Sequence, residues 1–528
     1  MTPARTARPG GRAAAGLVAL LLGLFVLFGV GTWAAIEFTV DDAYVTFRYS
    51  RNLADGHGPV WNVGADPVEG FTNFGWMVLL APFAALEWHL DAVAKLVSIL
   101  IGVITVGMLV RHGYRLGSWA AAVVAGSAFV VFLPTYFHIA AGLETVAFAA
   151  VVLRASVVGL DAVENRPVRA WEPPLLAVAA GLLRPEGVLV AAVPLAVWLW
   201  RRRRDGVAWF WTGSAVAMGV GYFAWRWSFY GHPVPNPFHG ALGGLDTGLG
   251  WLGDTAVVMG PLLVLTGVLF VPRETRGRAA VLLGVVAVTY LPYAFAGPGT
   301  DYLYRFAYHA FPVVCLGAGL GVSAIAGRLG DNAVLQQSLA AVTGVLAVGW
   351  VGLWGVVADQ LPLIANYGID LQRAHVAVGK ALAEADVAPE RRSVAVPDAG
   401  AIPYHSGWET VDYSGLNDEE IAHGTDPTSA VRRARPTVIV VPSSGPYVPP
   451  VAHGLRVAEA VAGYEYVGKV QMREGYWLNL FVLPEWVDPV ATAVERRAVY
   501  AQARYDPGRY ELTLDRWFDR LGERLDDR

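Results

Sequence analysis

One cysteine in 528 residues, Cys315, can close no internal disulfide and cannot build a thiolate metal site; its apolar surroundings predict a packing role. Charge is scarce as well. Only 16% of residues are charged and the formal net charge is −4, so no basic field points to nucleic acid as a partner. Internal repeats and low-complexity tracts are missing, which argues against a solenoid or a disordered polar chain. What fills the chain instead is apolar: 55% of residues are hydrophobic, more than a soluble protein of this length carries, and the lipid bilayer is the partner this implies. The fold class read from this is a polytopic α-helical membrane protein. Its Trp and Tyr residues recur at the ends of apolar runs, as interfacial belts do.

The N-terminus, MTPARTARPGGR, carries Arg5, Arg8 and Arg12 ahead of an apolar run reaching Ile36. That run lacks a small-residue cleavage site, so an uncleaved helix starting in the cytoplasm is expected rather than a signal peptide. Residues 72–88 pose the next choice. If they crossed the bilayer, Arg111, His112 and Arg115 would fall on the external face; an interfacial or re-entrant helix interrupted at Pro82 avoids this and makes 37–91 the first external segment. Helices are then expected near 92–110, 118–138, 146–160, 207–230, 252–271, 279–296, 306–326 and 335–358. Between them, two short pieces within 173–200 form a hairpin bent at Pro185 and Gly187. That gives about eleven transmembrane helices in a 1–360 membrane domain, with basic loops inside. After Leu361, short β-rich runs starting near 393, 409, 437, 464 and 477 alternate with helical stretches and predict an extracytoplasmic α/β domain over 361–528.

The densest chemistry lies just beyond the first apolar run. Asp41 and Asp42 sit where charge meets headgroups rather than hydrocarbon, with Arg48 and Arg51 behind them. Three readings are open for the acid pair. It can be a solvated helix end, a divalent-metal site through carboxylate oxygens, or a general base that takes a proton from a sugar hydroxyl; the third is preferred. Arg48, Arg51, Arg184 and Arg305 are candidate phosphate ligands, since a guanidinium fork matches phosphate oxygens in pairs. For Arg184 the alternative is a structural ion pair with Glu186, and for Arg305 a side chain snorkelling at a helix start. Glu69, Asn73, Glu144 and Glu186 are placed as sugar or acceptor contacts, although Glu144 also suits a helix N-terminus. Asn236 and His239 join them, and His232 with His239, seven residues apart without matching carboxylates, make a weak case for a metal, so no metal site is assigned. Asp398, Tyr404, Asp412 and Asn417 are read either as glycan contacts or as turn chemistry at strand ends.

The blocks DDAYVTFRYSRNLADGHGPVWNVGADPVEGFTNFGW, AGLET, LRPEG, GHPVPNPF and PDAGAIPYHSGWETVDYSGLND, in this order, resemble the GT-C glycosyltransferases that use polyprenyl-phosphate sugars. Within them the chain is most similar to the actinobacterial terminal β-(1→2)-arabinofuranosyltransferases. The resemblance implies a GT-C fold and places the catalytic base on Asp41 with Asp42 beside it. It implies decaprenyl-phosphoryl-arabinofuranose as donor, a cell-wall arabinan as acceptor and the bacterial plasma membrane as location. A mannosyl- or other pentosyltransferase of the same fold, and a lipid-glycan transporter, are the alternatives.

Overall fold

The computed structural model describes residues 11–238, 243–299, 301–328, 333–357 and 361–502. The first helix, α1 (Gly11–Ala35), is 25 residues of almost unbroken apolar sequence, roughly 37 Å long and so sufficient for a bilayer core. Its Leu22, Val26 and Val30 point away from protein, as side chains bathed in lipid do. Next come α2 (Asp41–Ala54) and α3 (Phe74–Ala85), the latter running through Pro82 rather than stopping there. The membrane bundle continues with α4 (Leu90–Leu116), α5 (Trp119–Val131), α6 (Pro134–Ala140), α7 (Thr145–Val163), α8 (Glu172–Leu183), α9 (Gly187–Arg201) and α10 (Gly206–Tyr230). It closes with α11 (Gly244–Gly267), α12 (Arg276–Ala296), α13 (Arg305–Tyr308), α14 (Phe311–Ala326) and α15 (Ala333–Val356). Among the described residues six helices are singly long and apolar enough to cross a membrane, and a bent pair makes up to seven. The chain is a multi-pass membrane protein, and every apolar segment picked out in the sequence is helical.

Two breaks in these helices position the site. The segment expected as one helix over 118–138 is two, α5 and α6, bent by 64°. Pro134 opens the second piece, and a proline cannot continue the hydrogen-bond ladder of the helix before it. Between α8 and α9, Arg184 is extended (φ −153°, ψ 133°), the conformation a residue preceding proline favours, so the chain turns at Arg184–Pro185–Glu186. Elsewhere small residues let helices approach closely: a side chain on Gly319 or Gly321 of α14 would collide with the backbone at Ala121 of α5 or Leu265 of α11. Cys315 lies buried on α14, in the packing position expected of it.

Beyond the bundle, α16 (Leu361–Leu371) runs through a π-helical turn (Gln372–Val376) into α17 (Ala377–Glu384). Then come β1 (Ser393–Val396), α18 (Ala401–Ser406), β2 (Glu409–Asp412), α19 (Glu419–Ala422), α20 (Pro427–Ala434) and β3 (Val438–Ser443). A two-residue ladder, β4 (Val451–Ala452) with β5 (Leu455–Arg456), precedes α21 (Val457–Ala460), β6 (Glu465–Arg473), β7 (Tyr476–Val482) and α22 (Val487–Gln502). The five β-rich runs of the sequence are the five strands of one mixed sheet, ordered β2-β1-β3-β7-β6. Strands β1, β2 and β3 are parallel, while β7 pairs antiparallel with β3 and β6. Alternation along β3 sends Val438 and Val440 into the core shared with the helices, and Ile439 and Val441 into a smaller core on the other face.

The sheet unit is fastened to the bundle along α2. Arg48 donates to the carbonyls of Trp61, Pro403 and Trp408 at 2.8–2.9 Å, to Asn62 Oδ1 at 2.9 Å, and to Thr410 Oγ1 at 3.5 Å. Arg51 lies 4.0 Å from the Tyr404 ring centre and donates to that residue's carbonyl. Asn62 pairs with the backbone of Thr410 in both directions, and Tyr49 donates to Asn417 at 3.1 Å.

Candidate active site

Helix α2 begins after an extended Val40 whose N–H is held by the Ala141 carbonyl, so its start is pinned to the AGLET loop. This puts Asp41 and Asp42 in the first helical turn, where the helix dipole favours negative charge. The two carboxylates then diverge. Asp41 is buried, and its oxygens accept the backbone N–H groups of Gly400 at 3.0 Å and Ala401 at 2.8 Å. Any side chain at position 400 would overlap Asp41, so glycine is required for that approach. Burial pushes the Asp41 carboxyl up to about 6, against the pull of His375 and with the help of Asp398 and Asp42.

Asp42 keeps its exposure to solvent. It nevertheless lies deep enough among protein that lost hydration raises its pKa; Arg305 opposes that rise, and Asp398 and Glu144 add to it. The resemblance expects the base at Asp41, and the structure gives the two acids different access. Asp42 has the accessible carboxylate, while Asp41 is committed to the loop before α18.

Beneath Asp42 runs a chain of buried polar groups. Thr46 and Asn73 are hydrogen-bonded to each other, and Asn73 Nδ2 donates to Glu144 Oε2 at 2.8 Å. The other oxygen of Glu144 accepts Arg184 at 2.8 Å, and Arg184 donates in turn to Glu186 at 2.6 Å and Tyr293 at 3.2 Å. Tyr293 closes the ring with a 2.5 Å bond to Glu186. Asn73, Glu144 and Glu186, expected at sugar hydroxyls, instead satisfy one another and Arg184, because a buried guanidinium must be paired before anything else. Arg305 is the exception: it is buried, 3.9 Å from Glu144, and its Nε has no hydrogen-bond partner. A buried guanidinium with one spare donor, within electrostatic reach of an accessible carboxylate, can receive an anion on one side while the carboxylate takes a proton on the other.

Arg48 is not part of this cluster. Carbonyl and side-chain oxygens at the α2 seam occupy its donors, so the expectation that it holds a phosphate is overturned. Glu69 is also elsewhere: it forms a buried two-pronged pair with Arg226 of α10, whose remaining arm donates to the Pro233 carbonyl. The Glu69 carbonyl accepts Asn236 N–H, and the buried Asn236 side-chain nitrogen has no partner. His239 lies outside the described residues. Asp412 bonds Ser414 and Asn417, which is turn chemistry, and Asp398 pairs with His375 (3.2 Å) and Tyr476. Arg226 and Tyr293 were overlooked in the sequence. A lone arginine inside the aromatic run AWRWSFY was the available signal, since a charge at that depth needs a partner.

An apolar helical bundle, a first loop with paired acids and an α/β unit seated on that loop define a polytopic helical membrane protein. Two crystal structures of ArnT from Cupriavidus metallidurans have this architecture. The apo form matches with a TM-score of 0.57 and the form bound to undecaprenyl phosphate with 0.55, each at 13% identity over 89% of this chain and 98% of the other. In sequence the chain is similar to the terminal beta-(1->2)-arabinofuranosyltransferase of Mycobacterium tuberculosis, 29% identical over 231 residues. That alignment covers 40% of this chain and 36% of the relative's length. A family described as a domain of unknown function (DUF8728) matches residues 365–481, the sheet-bearing part.

Proposed function

We propose that the protein is an inverting glycosyltransferase of the outer membrane face, moving a sugar from a polyprenyl phosphate to a cell-envelope glycan. The observation that carries this reading is the solvent-reaching Asp42 carboxylate within electrostatic reach of the buried Arg305, whose Nε has no hydrogen-bond partner. The likenesses to an undecaprenyl-phosphate-bound ArnT and to an arabinofuranosyltransferase support a lipid-phosphate donor, and the second favours arabinofuranose as its sugar. Basic loops such as Arg201–Arg204 favour a cytoplasmic N-terminus, which sets α2 and the sheet unit outside, in the bacterial plasma membrane.

In this mechanism the acceptor hydroxyl approaches Asp42, which takes its proton as the oxygen attacks the anomeric carbon. The bond from that carbon to the phosphate oxygen breaks, the configuration inverts, and the lipid phosphate departs with the electron pair. Arg305 meets the charge that develops there, and Arg184, fixed by Glu144 and Glu186, stands behind it. Asp41 acts as a positioning residue by fixing the 400–401 backbone against α2. Asn236, with its free amide nitrogen, is assigned to the acceptor.

The test is transfer by purified protein from synthetic polyprenyl-phosphate pentoses and hexoses to an arabinan oligosaccharide. A β-(1→2)-linked arabinofuranosyl product is expected. A hexose or another pentose as the only sugar transferred would move the assignment to another donor of the same class, and no transfer from any lipid phosphate would end it.

A further inference from the structure

A group that the proposed transfer does not use lies where the turn after α10 meets α19. His232 Nε2 is 2.7 Å from Glu419 Oε1, and His423 Nδ1 is 3.3 Å from the same oxygen. The two imidazole rings are 4.6 Å apart, and one ligand atom from each residue falls within 4.8 Å of the others. His232 and His423 are 191 positions apart in sequence (423 − 232), so the fold, not local spacing, brings them together.

Three properties separate this group from a surface ion pair. First, Glu419 Oε1 is shielded from solvent yet has no hydrogen-bond partner, although two imidazole nitrogens lie within 3.3 Å of it. The polar atoms are brought together without being paired off by a proton, so the oxygen keeps its capacity for another partner. Second, the donor set suits one class of metal. Two neutral imidazoles and one carboxylate favour zinc-type divalent ions over magnesium or calcium, which prefer all-oxygen shells. Ligands on a tetrahedral zinc stand roughly 3.3 Å apart, so closing the triad requires shifts of about an ångström. Half-exposed side chains at 42%, 29% and 36% exposure have that freedom and leave a path for the ion and a water ligand. Third, His423 Nδ1 is also 2.8 Å from the Glu419 carbonyl oxygen, a contact that holds the ring beside the carboxylate.

We propose that His232, Glu419 and His423 form a zinc-type divalent-metal site that clamps the turn after α10 to the sheet-bearing unit. The turn it would hold carries Asn236 and, through the Pro233 carbonyl, supports Arg226 opposite Glu69. The ion would thereby fix one wall of the region assigned to the acceptor without entering the displacement itself.

Metal binding is read without any sugar donor, so this inference stands or falls independently of the transfer reaction. Full-length protein in detergent is stripped with chelator and titrated with Co²⁺, then Zn²⁺. One equivalent of Co²⁺ should give a visible absorption band that Zn²⁺ abolishes, and Zn²⁺ should raise the thermal midpoint where Mg²⁺ and Ca²⁺ do not. The His232→Ala/His423→Ala double variant should lose both responses, and Glu419→Gln should weaken binding at least tenfold. His423→Asn alone serves the same purpose if the double variant does not purify. No band in the wild type, a band that survives these substitutions, or an equal response to Mg²⁺ overturns the site.

Discussion

Two neighbouring carboxylates have opposite surroundings, and the proposed transfer assigns them different tasks. Asp42→Asn removes the proton acceptor while preserving shape, so transfer should fall roughly 10²–10⁴-fold in kcat with an unchanged thermal midpoint. Asp41→Asn retains one acceptor for Gly400 or Ala401 but loses the other, and it should lower stability more than the chemical step. The kcat–pH profile offers a second check. Burial raises Asp42, and a base works only when ionised, so the acid limb of kcat should turn above the ordinary carboxylate value of about 4. A limb at or below that value would remove Asp42 from the role. The pair itself was legible because charge directly after a membrane-length run is costly unless used. Which acid faces the solvent was not, since that depends on two N–H groups about 360 residues further along the chain.

Among the elements, the hinge between α8 and α9 and the π-helical turn matter most. Glu144→Ala would leave Arg305 without its neighbouring carboxylate and Arg184 with Glu186 alone, and should cost about 3 kcal/mol, measured by denaturant or thermal unfolding in detergent. The π-helical turn places His375 against Asp398. Burial lowers the His375 pKa, but Asp398 and Asp41 outweigh it and the net shift is upward. A raised histidine contributes fully below its ordinary value of about 6.5 and ceases to contribute as pH climbs through the shifted one. The gap in thermal midpoint between wild type and His375→Gln should therefore be widest near pH 6 and close on alkalinisation. Helices and strands were readable from apolar runs and β-branched alternation, and Pro185 announced its bend. The break at Pro134 was hidden because the apolar pattern continues across it, and the π-helical turn because His375 meets its partner Asp398 only in the folded chain.

At the scale of the whole molecule, one short helix unites the membrane bundle with the sheet. Arg48→Ala would strip the carbonyls of Pro403 and Trp408 of their donor and should separate the two parts, giving two unfolding transitions in calorimetry where the wild type gives one. The many-helix membrane architecture with its appended sheet could be read from the apolar and β-rich runs, whereas the partners of Arg48, Glu69 and Glu144 could not. Each is chosen by which backbone oxygens or guanidinium groups the fold brings within 3 Å. The seam has a pharmacological corollary. Because the same few turns of α2 grip the sheet and carry Asp42, a compound that wedges between Trp408 and Arg48 would tilt the proposed base from a distance. Such an inhibitor would have no need to compete with a greasy donor for its pocket.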